Sequence, residues 1–210
     1  MSSQLIEALA AADESIRLKA ALALGSNPDP ALVDALLARC ASEPDFYVRD
    51  MLTWALIRLP AEVTVPRLLA ELRSQCAQAR SQALHTLSKI GDPATWPAIT
   101  QALLRDADDE VARSAWRAAV VLVPRGQEQA LAEELAAQLG RGGPEVQLSL
   151  GRALVALGEE AIMPVLRSAL ASDDPGVRAH ASATERLLRD PDIGSELAVK
   201  AARRRFTLGK

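Results

Sequence analysis

Few residues in this 210-residue chain are equipped for covalent or acid–base chemistry. The two histidines, His85 and His180, lie far apart in sequence, and neither has a Cys, Asp or His at metal-ligand spacing. Cys40 and Cys76 form no CxxC pair and too small a set for a disulfide framework. They read as small thiols of a reducing compartment. Ser114 and Ser149 fall in helical segments with no base nearby, and there is no GxSxG and no phosphate-binding loop. The run Gly140-Arg141-Gly142-Gly143 lacks the preceding strand that a dinucleotide site requires, and reads as a turn. No catalytic residue, metal or cofactor is therefore expected.

The residues that remain suit recognition. Trp and Arg most often dominate binding energy. The candidates are Met51, Trp54, Arg58, Gln82, His85, Lys89, Arg117 and Arg152. What singles them out is the register they share within the elements that carry them.

Composition names those elements. Ala contributes 40 residues and Leu 32, with only six aromatics, so helix formers dominate and an all-β chain is excluded. Hydrophobic residues at 49% and charged residues at 24% match an ordinary globular core and exclude wholesale disorder. The longest apolar run, Ala118 to Val123, is far too short to span a membrane, and the N-terminus has no basic region of a secretory signal. A cytoplasmic setting is expected.

A repeat organises the whole chain. Segments 13–25, 45–59, 76–91, 108–122, 143–158 and 174–188 align on Ile16, Val48, Ala79, Val111, Val146 and Val177, at spacings of 32, 31, 32, 35 and 31. Four residues past each of these anchors stand Ala20, Leu52, Ala83, Ala115, Leu150 and Ala181, and eight past it Leu24, Leu56, Leu87, Ala119, Leu154 and Glu185. That is one face of an α-helix. A second helical segment precedes most of them, at 30–40, 65–74, 96–106, 129–140 and 163–173, and Pro66, Pro97 and Pro164 recur there at one register, as in a first helical turn. The unit is a helix, a tight turn and a second helix of about 32 residues.

The pattern D-x-x-(V/I)-R-x-x-A in the second helix resembles the HEAT-repeat family, in its short bacterial form associated with bilin lyases. It stands as Asp13/Ile16/Arg17/Ala20, as Asp45/Val48/Arg49 with Leu52, and as Asp174/Val177/Arg178/Ala181. Repeat three has Cys76 for the Asp, repeat four moves its arginine to Arg113, and repeat five has Gly143 and Gln147. The resemblance implies an all-α solenoid, a right-handed superhelix of about six stacked helix pairs, over residues 1–190. Residues 191–210 are expected to add a capping helix and a basic tail. The Asp residues should cap helix N-termini, and the Arg residues should reach a neighbouring repeat's Asp or carbonyl.

The resemblance also implies that the second helices line a concave binding face. Positions three, six and ten past each anchor, from Lys19, Leu22 and Ser26 to His180, Ala183 and Leu187, should point away from the buried stripe. Those eighteen positions hold five cations, Lys19, Arg58, Lys89, Arg117 and Arg152, and no acid, in a chain of net charge −3. A protein-interaction module follows, with no enzymatic activity and a basic groove for an acidic or mixed-charge polypeptide. Two other classes resemble this architecture. Helical-repeat glycosylases of alkylated DNA bases place an acid in the groove, which these columns lack, and the acidic balance speaks against nucleic acid. A bilin-lyase-type subunit is suggested by the repeat subfamily alone.

Far-ultraviolet circular dichroism is expected to show a helix content well above the roughly one third usual in globular proteins, without a sheet signature. A strand content of one tenth would overturn the repeat assignment.

Overall fold

The computed structural model describes residues 2–190, and every regular element among them is helical. The second helices of the six repeats are α2 (Glu14–Ser26), α4 (Phe46–Ile57), α6 (Ala77–Ile90), α8 (Asp109–Leu122), α10 (Pro144–Ala156) and α12 (Pro175–Arg189). Before them stand α1 (Ser2–Leu9), α3 (Val33–Ser42), α5 (Ala61–Glu71), α7 (Gln101–Leu104), α9 (Glu128–Ala136) and α11 (Glu159–Leu170). Each second helix packs on the next, and one apolar core runs from Leu9 to Ala181. This is an α-solenoid, in which each helix pair buries a face that it could not bury alone. The expected capping helix and tail lie outside the described residues.

The anchors and their followers fill this core. Val48, Ala79, Val111 and Val146 are buried, as are all six residues four past the anchor. Ile16 departs from the expectation and is 48% exposed. The anchor of a later repeat leans on the repeat before it, as Val177 does against Gly140. No repeat precedes Ile16 among the described residues. Glu185 is half-buried and pairs with Arg189 on the outer side of the last helix.

The first helices differ in detail from the expected segments. Pro66 and Pro164 each fall at the sixth residue of their helix, because α5 and α11 begin earlier than the proline register suggests. The fourth first helix is broken. A 3-10 segment over Pro93–Ala98 holds both Pro93 and Pro97, and α7 restarts after it with Thr100 as its cap. Two prolines four residues apart remove two N–H donors and crowd the preceding turn, so a continuous helix cannot form there.

The motif residues tie the turns. Asp13, Asp45, Asp108 and Asp174 each accept from backbone amides in the first turn of the following helix, at 2.7 to 3.3 Å. Four arginines bridge the turn before their own helix. Each donates one nitrogen to two successive carbonyls: Arg17 to Ala11 and Ala12, Arg49 to Glu43 and Pro44, Arg80 to Ser74 and Gln75, and Arg178 to Ser172 and Asp173. In repeat five Gln147 makes the shortened version, to Gly142 O at 3.1 Å. Repeat four has Ala112 at this position, and its turn carbonyl at Asp106 is taken instead by Arg141 from the next repeat.

Arg17 and Arg80 also reach forward. Arg80 forks onto the Asp106 carboxylate at 3.0 and 3.1 Å. Arg17 forks onto Glu43, both contacts at 2.9 Å. Glu43 is fully buried and also accepts from Arg39 and the Asp45 amide. Burial pushes its carboxyl up, but the bonds from Arg17, the Asp45 amide and Arg39 prevail and hold it down at about 2.

Glu43→Gln is expected to lower stability by about 3 kcal/mol, because it strands two arginines at a buried position. Chemical denaturation of the two proteins measures this. Since the folded carboxyl titrates below its ordinary value, the hub's contribution is complete above pH 4.5 and is lost as pH falls toward about 2.

Candidate functional site

The eight candidate residues sit on α4 and its C-cap (Arg58), α6, α8 and α10. Arg58, Lys89, Arg117 and Arg152 are exposed, and Met51, Trp54, Gln82 and His85 are half-buried. Their helix positions follow from the packing. In the first five repeats the stripe four and eight residues past each anchor is pulled into the core, and the positions six and ten past it are left toward solvent.

Trp54 does structural work with one side of its ring. A Cβ added to Gly25 would stand 2.1 Å from Trp54 Cζ3, so only glycine admits the indole against α2. Arg58 lies 5.6 Å over the same ring and donates Nε–H to the Gly25 carbonyl at 3.1 Å. Tryptophan and arginine thus form a stacked pair bridging α4 to α2. Met51, one turn earlier, packs on the core.

The centre of the face is a cluster of charge. Burial lowers the pKa of His85 below the ordinary value, and Arg117 of α8 and Lys89 of α6 lower it further, while Asp50 of α4 opposes them. Side chains from three helices thus act on the His85 ring. Arg117 donates from Nη2 to Ser114 Oγ at 3.1 Å, and burial and the nearby Arg113 lower its pKa while Glu110 opposes them. Asp50 and Arg113 complete this site and lie outside the three columns that sequence reasoning used.

Three of the eighteen column positions do not face solvent. Ser114, His180 and Leu187 are buried. Among the second helices, α2 with α4, α6 with α8 and α10 with α12 pack most closely, and side chains three past the anchor fall into those seams. Ser114 Oγ meets Ser81 Oγ at 3.0 Å across α6 and α8. His180 accepts from the Gly140 amide at Nδ1, at 3.0 Å, so Nε2 carries the proton and donates to Gln147 O at 2.8 Å. It is a packing histidine, not a recognition group. Trp116 is fully buried, with Nε1–H donating to Leu104 O at 2.8 Å, and Trp96 is half-buried and donates to Gln127.

One exposed feature escaped the periodic reading. Phe46 and Tyr47 are 64% and 71% exposed, with their rings edge to face at 5.6 Å. The signal was available, because the same two positions hold Glu14-Ser15, Ala77-Gln78, Asp109-Glu110, Pro144-Glu145 and Pro175-Gly176 in the other repeats.

Among the described residues no group of three His, Cys, Asp or Glu could hold a metal ion, and no helix is long and apolar enough to cross a membrane. Cys40 is buried, which pushes its thiol up to about 12, while Cys76 is exposed.

A family profile described as HEAT repeats matches residues 2–57 and 39–120. No curated protein sequence matches the chain. Among solved structures, an engineered protein is 22% identical with a TM-score of 0.48, over 92% of this chain and 97% of that one. The complex of CpcE and CpcF of phycocyanin lyase from Nostoc sp. PCC7120 is 21% identical with a TM-score of 0.48, over 90% of this chain and 77% of that one.

The packing of His180 has a pH signature. Burial lowers its pKa against the opposing bond to Gln147, so the unfolded chain takes up a proton that the folded one resists. Its contribution is complete above the unfolded value of about 6.5 and is lost as pH falls below it, at no more than about 1.4 kcal/mol per pH unit. Thermal midpoints measured from pH 7.5 to 5.5 should fall toward acid, and less steeply in His180→Gln.

Proposed function

The chain belongs to the HEAT-repeat family, and from that premise we propose that it is a non-enzymatic protein-interaction module whose second-helix face holds an acidic or mixed-charge polypeptide. Residues 1–190 form one such domain in this reading. The binding residues are Met51, Trp54, Arg58, Gln82, His85, Lys89, Arg117 and Arg152.

The observation that carries this reading is where the cations are left. Eight arginines outside the three columns are spent in ion pairs: Arg17 and Arg39 with Glu43, Arg67 with Asp34, Arg80 with Asp106, Arg105 with Glu134, Arg113 with Glu110, Arg141 with Asp109 and Arg189 with Glu185. On the second-helix face, Lys19, Arg58, Lys89 and Arg117 pair with no described acid. A protein of net charge −3 that leaves one face positive favours a negative partner there. Packed helices are about 10 Å apart, so Trp54 on α4 and Arg152 on α10 stand roughly 30 Å from one another. That length suits an extended segment or one helix of a partner and exceeds a small metabolite. The exposed flank of Trp54, held rigid by Gly25 and Arg58, supplies an apolar anchor within the charged stripe.

Polyglutamate of about twenty residues is a direct probe, since its reach matches the stripe. Binding is expected at low salt, weakening steeply as ionic strength rises. The exposed-site double variant Lys89→Glu with Arg152→Glu should stay folded and bind at least about tenfold more weakly, the equivalent of 1.4 kcal/mol. With a natural partner, Trp54→Ala should cost about 2 kcal/mol. A folded double variant that binds like the wild type would overturn this function.

A further inference from the structure

His85 occupies the middle of the proposed face and is hemmed by positive charge. Arg117 of α8 and Lys89, one turn along its own helix, act on its ring, and Asp50 of α4 counteracts them. α3 and α5 also pack on α6 and bring no charged group to the ring. No described acid hydrogen-bonds to Arg117, although Glu110, two turns back on its own helix and paired with Arg113, acts on its charge. Its Nη2 donates to Ser114 Oγ at 3.1 Å and its Nε to Arg113 O at 3.4 Å, and Ser114 is itself tied to Ser81. Neutral oxygens therefore hold the guanidinium in place without cancelling its charge, and Nη1 makes no hydrogen bond to a described residue. The three groups together are a positioned guanidinium, an ammonium on a flexible stem, and an imidazole in a half-buried setting where water screens charge poorly.

We propose that one carboxylate of the bound polypeptide seats among His85, Lys89 and Arg117, and that a solvent proton is taken up on His85 as it does so. This rests on the reading of the face given above. With the seat empty, two neighbouring cations disfavour a third, and the ring is neutral near pH 7. A carboxylate reverses that balance. The ring gains one proton from solvent, becomes imidazolium and donates N–H to the carboxylate, which stays ionised. The linkage has a fixed sign: a site that takes up a proton on binding binds more tightly as pH falls, by no more than about tenfold per pH unit for one proton. The dependence flattens once the empty ring is itself protonated.

Titration calorimetry with polyglutamate, which stays ionised above pH 6, reads the proton directly. At pH 7, in two buffers of different ionisation enthalpy, the wild type should show proton uptake, and its affinity should rise a few-fold from pH 8 to pH 6. His85→Gln, with its fold checked by circular dichroism, should still bind, without that uptake and with a flat profile. Equal uptake and equal pH dependence in the two proteins would overturn the assignment of the proton to His85. Salt-sensitive binding with no pH dependence in the wild type would overturn the proton-coupled seat and leave the function of the face standing. No binding at low salt would overturn both.

Discussion

The solenoid depends on how its turns are tied. Each repeat ends its first helix with carbonyls that have no helical partner. The arginine one past the anchor meets that need with one nitrogen on two carbonyls of its own turn. Where its remaining nitrogens meet an acid of the following turn, as at Glu43 and Asp106, the same side chain joins two repeats. The apolar core supplies the drive to stack. Where the clamp reaches the following turn, its planar fork tolerates little displacement of one repeat against the next.

The departures from the motif obey the same requirement. Repeat four lacks the arginine but not the need, and Arg141 answers it from the other side, also lying 5.9 Å over the buried Trp116. Repeat five uses the shorter amide of Gln147. The obligation to satisfy turn carbonyls is stricter than the identity of the residue that does so. The seams between paired second helices are lined by small or doubly bonded residues for a related reason. Gly25 admits Trp54, Ser81 meets Ser114, and His180 is satisfied at both nitrogens.

These structural duties bear on recognition. Of the turn arginines, Arg17 and Arg80 have their charge met by the Glu43 and Asp106 carboxylates, which reduces the field they cast outside the protein. Arg58, Lys89 and Arg117 are paired with no described carboxylate, although Arg58 bonds the Gly25 carbonyl and Arg117 bonds Ser114 Oγ and the Arg113 carbonyl, and in the proposed reading their field is what a partner meets. Trp54 lies on the boundary. One edge of its ring is spent on α2, which orders it and, in the proposed reading, lowers the entropic cost of its use as an anchor.

How much of this was legible in the sequence follows from what is local. Helical period decides which residues share a face, so the six-fold repeat, the buried positions four and eight past each anchor, and the aspartate caps could be read from spacing alone. The breaking of the fourth first helix was local too, written in Pro93 and Pro97, although the repeated proline register pointed elsewhere. Partner choice across repeats is not local. That Arg17 meets Glu43, that Arg141 replaces an absent arginine, that His180 belongs to a seam and that Asp50 stands beside His85 all depend on how closely neighbouring second helices approach. That distance is set by the side chains filling each seam, a glycine in one and a pair of serines in another. Period assigns a residue to a face of its own helix, and only the packed neighbour decides whether that face meets solvent.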